Sequence, residues 1–188
     1  MKILVLDNYD SFTYNIVHAL KSLGYSDVEV FRNDKIALEE IKKYDKIILS
    51  PGPGIPSESG ILNELIKRYS SEKSILGICL GEQAIGEVFG ATLVNLSKVY
   101  HGVDSVVKLG NDDALFRGLP AAIIAGRYHS WVVSEEGFPQ CLEVTARDEE
   151  GKIMALKHKT YDVRGVQFHP ESVLTPFGIR IIANWLNS

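Results

Sequence analysis

Apolar positions in the first ninety residues follow two alternating patterns. Short continuous apolar runs predict buried strands over 2–6, 28–31 and 46–49, and a fourth strand that delivers Cys79. Between them, apolar residues recur every three or four positions, which predicts helices over 12–23, 37–43 and 60–69 and another between Cys79 and Gly90. Residues 8–11 are turn and N-cap types ahead of the first helix. Alternating strands and helices indicate a parallel sheet that is covered on both faces.

After Gly90 the pattern changes to short strand-like runs separated by Gly, Asp, Asn and Pro. We predict strands over 91–95, 103–109, 121–125, 131–134 and 142–147, followed by a hairpin turn at 148–151 into a strand over 153–157. A last strand over 163–168 precedes an amphipathic helix over 176–186. This half should be antiparallel or mixed. The whole chain, 1–188, therefore reads as one α/β domain with an open, mostly parallel (mixed) sheet, helices on both faces and a smaller antiparallel sheet.

Composition narrows the class of protein further. With 188 residues, 45% hydrophobic and 23% charged, the chain is typical of a globular protein with a sizeable core. Its net charge is −4 and its Lys and Arg residues are scattered, which disfavours a nucleic-acid partner. The first apolar run meets Asp7 too early for a signal peptide or a membrane span, so we expect a cytoplasmic protein whose two cysteines, Cys79 and Cys141, are free thiols.

Cys79 is the first candidate for chemistry. It stands between two glycines in Gly77-Ile-Cys-Leu-Gly81, where a strand is expected to turn sharply into a helix. This arrangement is the sulfur counterpart of a nucleophile elbow, and the N-terminus of the new helix favours a thiolate. A lone cysteine among apolar residues is nevertheless most often an inert small side chain.

Two further strand ends carry candidate residues. The third strand runs into a Pro-Gly loop at 50–56, and the last one stops at His169-Pro-Glu171. His169 could accept the thiol proton and Glu171 could orient the imidazole. A lone histidine is usually structural, but ligands of parallel sheets bind at the carboxyl ends of the strands, where these three features coincide. The sequence therefore predicts a cysteine-dependent active site.

Four ordered blocks, together with the opening block at 6–15, carry a family resemblance: Ser50-Pro-Gly-Pro-Gly54, Gly77-Ile-Cys-Leu-Gly81 with Gln83, Arg127-Tyr-His-Ser130 and Gln167-Phe-His-Pro-Glu171. The chain resembles the class I glutamine amidotransferases, which have a flavodoxin-like fold. Within that family it is similar to the glutaminase subunits of anthranilate synthase and of aminodeoxychorismate synthase. The resemblance covers nearly the whole chain.

The resemblance implies a Cys79, His169 and Glu171 triad that hydrolyses the side-chain amide of glutamine. It further implies that backbone N–H groups of Gly52 and Leu80 stabilise the oxyanion. Contacts to the amino-acid end of L-glutamine are implied for Gly52, Pro53, Gly54, Gln83, Ser130 and Trp131. No metal and no cofactor is implied for this subunit. From the residues alone, the segment 127–130 is as well explained as a surface turn.

Released ammonia needs an acceptor, and 188 residues are too few for an acceptor domain as well. The resemblance implies a separate chorismate-binding synthase subunit, component I of anthranilate synthase in tryptophan biosynthesis. The alternative is component I of aminodeoxychorismate synthase in the folate branch, or service to both. Segment 100–102 matches a family segment near that partner, although an ordinary turn explains it equally well. A stand-alone γ-glutamyl hydrolase or cysteine peptidase and a non-catalytic regulatory partner are the remaining alternatives.

The chain departs from the family pattern at three positions. Glu82, Val103 and Trp131 stand where His, Lys and Leu are usual. A carboxylate at Glu82 suits the helix N-terminus but would oppose a thiolate at Cys79, so we expect a modest effect on activity. Val103 bears on which partner binds, and Trp131 on the shape of the glutamine pocket.

Overall fold

The computed structural model describes residues 1–110 and 113–188. Within these ranges a nine-stranded sheet has the order β2-β1-β3-β4-β11-β10-β9-β6-β7, and β5 pairs with β8 in a separate two-stranded sheet. The strands are β1 (Ile3–Asp7), β2 (Val28–Arg32), β3 (Lys46–Leu49), β4 (Ser74–Ile78), β5 (Leu93–Asn95), β6 (Val103–Leu109), β7 (Ala122–Arg127), β8 (Trp131–Val133), β9 (Leu142–Asp148), β10 (Ile153–His158) and β11 (Val163–Val166).

The first five strands of that order are parallel, from β2 across to β11. The order β2-β1-β3-β4-β11 is the doubly wound order of flavodoxin-like sheets. The remaining four strands of the large sheet, β10, β9, β6 and β7, pair antiparallel. The predicted mixed sheet and the smaller antiparallel sheet are both confirmed.

Four α-helices cover the parallel half, α1 (Thr13–Ser22), α2 (Leu62–Tyr69), α3 (Leu80–Val88) and α4 (Gly178–Leu186). Helices α1 and α4 pack on one face, where Ile16 and Ile181 join a core with Val5 and Ile48. Helices α2 and α3 pack on the other face in a second core. Burying apolar side chains on both faces explains why the first strands are continuous apolar runs.

Short 3-10 segments occupy Leu38–Lys43, Pro56–Glu58 and Ala114–Phe116. The first of them replaces the predicted helix over 37–43. The predicted N-cap within 8–11 was wrong, because α1 begins at Thr13 behind Phe12 without a side-chain cap. The carboxylate of Asp7 instead accepts hydrogen bonds from the backbone N–H of Tyr9 and Asp10 and from the Thr13 hydroxyl, so an acid at the end of β1 organises this turn. None of the described helices is long and apolar enough to cross a membrane.

Candidate active site

Cys79 lies at the corner between β4 and α3. Its backbone has φ of 53° and ψ of −103°, a left-handed conformation that non-glycine residues rarely adopt. Its N–H donates to the carbonyl of Val166 on β11 at 2.8 Å, and its carbonyl accepts from Gln83 in the first turn of α3 at 3.0 Å. Strain at one residue of a strand-to-helix corner is a common property of functional sites. The sharp turn predicted from the sequence is present.

The flanking glycines serve this corner through close approach. A Cβ on Gly77 would lie 2.4 Å from the Gly81 carbonyl carbon, and a Cβ on Gly81 would lie 2.5 Å from the Leu49 carbonyl oxygen of β3. The positive φ belongs to Cys79 itself, so the expectation that the glycines supply the unusual backbone angles was wrong. They are required because the start of α3 lies directly against the strand ends.

His169 and Glu171 form a buried pair after β11. The Nδ1 atom of His169 lies 2.7 Å from Oε1 of Glu171, and both side chains are nearly inaccessible to solvent. Nε2 of His169 is buried and has no hydrogen bond of ordinary geometry to a described residue. Burial disfavours the imidazolium, but polar interactions with Cys79 and Glu171 outweigh burial and raise the pKa of His169. The predicted base is therefore oriented by a carboxylate and faces the cysteine.

Neighbouring residues fix the position of His169. The ring packs against Tyr128 at a centroid distance of 4.8 Å and edge-on against Phe12 at 5.5 Å. The backbone N–H of His169 donates to the Gly126 carbonyl, and the Thr175 hydroxyl donates to the His169 carbonyl at 2.7 Å. These contacts leave the imidazole with one orientation, in which Nδ1 meets Glu171.

The Pro-Gly loop lies beside the first turn of α3. A Cβ on Gly52 would lie 2.7 Å from Cδ2 of Leu80 and 2.7 Å from the Asn8 carbonyl oxygen, so the two candidate oxyanion residues are in contact. Among the described residues, neither the N–H of Gly52 nor that of Leu80 donates a hydrogen bond. Both groups are therefore available to a developing negative charge near the Cys79 sulfur.

Asn8 holds this loop in place. Its Nδ2 donates to the Ser50 carbonyl at 2.8 Å, its backbone N–H donates to the Ser50 hydroxyl at 2.9 Å, and its Oδ1 accepts from Asn33. Asn8 is buried, and its role was missed in the sequence. The opening block at 6–15 marked this segment as part of the family pattern, yet only the fold shows that it supports the loop after β3.

The residues expected to contact glutamine line one cavity of about 190 Å³ beside Cys79. Its walls are formed by Gly52, Pro53, Gly54, Cys79, Gln83, Tyr128, His129, Ser130 and Trp131. The structure thus brings together all six predicted substrate contacts. Tyr128 and His129 were not predicted as wall residues, although both stand in the block at 127–130.

A second cavity, of about 520 Å³, meets the first at Cys79. His169, Phe12 and Tyr128 line it, and His101 lies at its wall with its ring 6.3 Å from that of Tyr128. Segment 100–102 therefore borders the cysteine cavity. Its backbone is tied to the neighbouring strand, since Tyr100 donates to the His129 carbonyl and Gly102 to the Arg127 carbonyl.

Glu82 differs from its expected state. The side chain is completely buried, packs on Gly165 of β11, and has no hydrogen-bond partner among the described residues. Removal from water raises the pKa of Glu82 to about 8. The carboxyl is therefore mainly protonated at neutral pH, and the expected negative charge beside Cys79 is absent there.

Comparison with known proteins places the chain in a family. Residues 4–188 match the family described as glutamine amidotransferase class-I. A solved structure with similar architecture, a candidate GMP synthase component from Thermoplasma acidophilum, superposes with a TM-score of 0.89. That protein is 29% identical, and the match covers 100% of this chain and 92% of the other. The chain belongs to the class I glutamine amidotransferases, and the resemblance seen in its sequence is confirmed.

Curated relatives narrow the family. Aminodeoxychorismate synthase component 2 of Klebsiella aerogenes is 46% identical, with coverage of 98% of this chain and 99% of the relative. Anthranilate synthase component 2 of Pseudomonas putida is 46% identical, with coverage of 99% and 96%. The bifunctional protein TrpGD of Thermotoga maritima is also 46% identical over 99% of this chain, which spans 32% of that longer protein. This chain is thus similar to glutaminase subunits of two chorismate-using synthases.

Proposed function

We propose that this chain is a glutaminase subunit that hydrolyses L-glutamine to glutamate and supplies the ammonia to a chorismate-using synthase, anthranilate synthase in tryptophan biosynthesis. The observation that carries the proposal is the position of Cys79. Its side chain borders the cavity that holds every predicted substrate contact and also the cavity that contains His169.

The proposed reaction has two steps. The Cys79 sulfur attacks the side-chain amide carbon, and the oxyanion that forms is held by the N–H groups of Gly52 and Leu80. His169, oriented by Glu171, gives its proton to the departing nitrogen, which leaves as ammonia. Water then attacks the thioester, returns a proton to His169 and releases glutamate. These side chains and N–H groups supply a nucleophile, a proton carrier and oxyanion donors, so the proposed chemistry needs no metal or cofactor in this subunit.

Replacement of Cys79 by Ala tests the chemistry. In a complex reconstituted with the synthase subunit, Cys79→Ala should abolish glutamine-dependent synthesis and leave synthesis from added ammonium unchanged. Cys141→Ala is the control, because Cys141 lies outside both cavities and should keep full activity. Loss of both activities in Cys79→Ala, or of neither, would contradict the proposal. A non-catalytic regulatory partner would show no glutamine-dependent synthesis even in the wild type.

The second candidate is the folate branch, and the relative from Klebsiella aerogenes is the observation that favours it. Each candidate predicts a different partner. We expect the chain to co-purify with anthranilate synthase component I from its own cells and to form a heteromeric complex in the cytoplasm. Co-purification with aminodeoxychorismate synthase component I instead would support the second candidate, and recovery of both would indicate a shared subunit. A stand-alone γ-glutamyl hydrolase would bind neither.

A further inference from the structure

A buried ion pair lies behind the glutamine cavity. Nη1 of Arg127, at the end of β7, donates to the carboxylate of Asp148 at 2.8 Å, and both side chains are almost completely buried. The other oxygen of Asp148 accepts from the backbone N–H groups of Glu150 and Lys152 in the hairpin turn. A buried, hydrogen-bonded ion pair with fixed geometry orients whatever the guanidinium contacts next.

The next contact of Arg127 is His129. Nε of Arg127 donates to Nε2 of His129 at 3.1 Å, so Nε2 is the acceptor and the ring proton is on Nδ1. Nδ1 then donates to the Trp131 carbonyl at 3.0 Å. Burial and the charge of Arg127 lower the pKa of His129 to about 3, so the imidazole stays neutral in this tautomer at physiological pH.

The Trp131 carbonyl is held from two directions. It accepts from His129 on one side and from Nε2 of Gln83 at 2.9 Å on the other. Gln83 stands in the first turn of α3, whose start is Cys79, and its amide also donates to Gln167. The carbonyl of one cavity-wall residue is therefore the junction between the helix of the nucleophile and the network of Arg127.

We propose that His129 is a positioning residue, which holds the Ser130 and Trp131 wall of the glutamine cavity at a fixed place relative to Cys79. The inference rests on the proposed function, because the wall matters only if glutamine occupies the cavity. His129 acts through the backbone of its neighbours and not on the reacting amide. The wall meets the amino-acid end of glutamine in the ground state and in the transition state alike, so its displacement should raise KM and leave kcat nearly unchanged.

Two substitutions separate positioning from packing. His129→Phe keeps a ring that can stack on Tyr100, whose centroid is 5.4 Å from that of His129, and removes both ring nitrogens. His129→Gln offers one oxygen to Arg127 and one N–H to the Trp131 carbonyl. We expect the glutamine KM to rise about tenfold in His129→Phe with kcat within twofold of wild type, and we expect His129→Gln to recover most of the KM. His129→Leu is the substitute if the Phe variant does not fold.

Alkylation of Cys79 by iodoacetamide gives the second measurement. In His129→Phe the rate without glutamine should equal that of wild type, while the glutamine concentration that halves the rate should rise about tenfold. Equal protection in both proteins, or a Gln variant no better than the Phe variant, would overturn the inference and leave the proposed function intact. If glutamine neither protects wild-type Cys79 nor is hydrolysed, the proposed function itself fails.

Discussion

Glu82 carries a buried carboxyl in the first turn of the helix that follows Cys79. The folded protein holds its proton up to a pKa of about 8, whereas the unfolded chain releases it near the ordinary value of 4.5. Between these values the folded state binds more protons than the unfolded state, so the free energy of unfolding falls as pH rises. The stabilising contribution is complete below pH 4.5 and is lost by the time the pH passes about 8.

Glu82→Gln should remove this pH dependence, because an amide of the same shape does not ionise. We expect the difference in unfolding free energy between wild type and Glu82→Gln to fall with pH between 5 and 8, by at most roughly 1.4 kcal/mol per pH unit. Urea unfolding of both proteins at each pH measures the difference. Parallel curves would show that Glu82 is ionised in the folded state or becomes exposed at neutral pH.

Gly52 is the residue whose side chain must be absent for the loop to approach Cys79. In Gly52→Ala the new Cβ would meet Asn8 and Leu80 at 2.7 Å, so the loop must move and carry its N–H away. Loss of one oxyanion donor lowers kcat by about two to three orders of magnitude. Glutaminase assays should show that loss, while iodoacetamide should still alkylate Cys79. Pro53→Ala is the control that leaves the Gly52 N–H in place.

Helix α3 lies on a floor of glycines. Gly77 and Gly165 are paired across β4 and β11, and the first turn of α3 sits on them. A Cβ on Gly165 would lie 2.5 Å from Cγ of Glu82. The helix that carries Leu80 and Gln83 is therefore close to the sheet because these strands lack side chains at the contact.

Gly165→Ala should lift α3 and disturb both the oxyanion N–H and the cavity wall. Overpacking of this kind costs typically about 1 to 3 kcal/mol, and we expect the glutamine KM to rise as well. Thermal unfolding and glutaminase kinetics measure the two effects. Gly137→Ala is the control for an Ala replacement in open space, and it should lower stability slightly through its positive φ without changing KM. An unchanged KM in Gly165→Ala would contradict this account of the floor.

Local pattern predicted these elements well because each strand and helix has its own hydrophobic period. All described strands were predicted to within a few residues, and the Cys79 corner was predicted from its glycines. Contacts between distant segments were not predictable. The burial of Glu82 depends on Gly165, which lies more than eighty residues away, and the positive φ of Cys79 depends on how closely α3 approaches the strands. A single sequence gives no measure of either distance.

The antiparallel half curls back onto the parallel half. β7 stands four places from β11 in the sheet, yet Gly126 of β7 contacts the loop that follows β11. The N–H of Gly126 donates to the Thr175 hydroxyl at 3.0 Å, and its carbonyl accepts from His169 at 3.0 Å. This closure places the β7–β8 connection, with Ser130, opposite Cys79. Sequence motifs gave the residues of the site, whereas the curl that brings them together is a property of the whole sheet.

Thr175→Val tests the closure. Valine keeps the shape and loses the hydroxyl that accepts from Gly126 and donates to the His169 carbonyl. We expect a loss of about 1 to 3 kcal/mol in unfolding free energy, because two buried backbone groups lose a partner, and a roughly tenfold lower kcat as His169 gains freedom. Thr175→Ser should retain both. A Val variant with wild-type kcat would show that His169 is held by Glu171 and its aromatic neighbours alone.

The same hydrogen bonds to Gly126 have a consequence for solubility. β7 is the last strand of the large sheet, and an open strand edge is a template on which another chain can pair. The loop that carries the proposed base occupies part of that edge, so a change that loosens the loop also frees hydrogen-bonding groups of β7. Variants selected for a more mobile His169 should therefore aggregate more readily at high concentration, and the protection of this edge limits how far the site can be loosened.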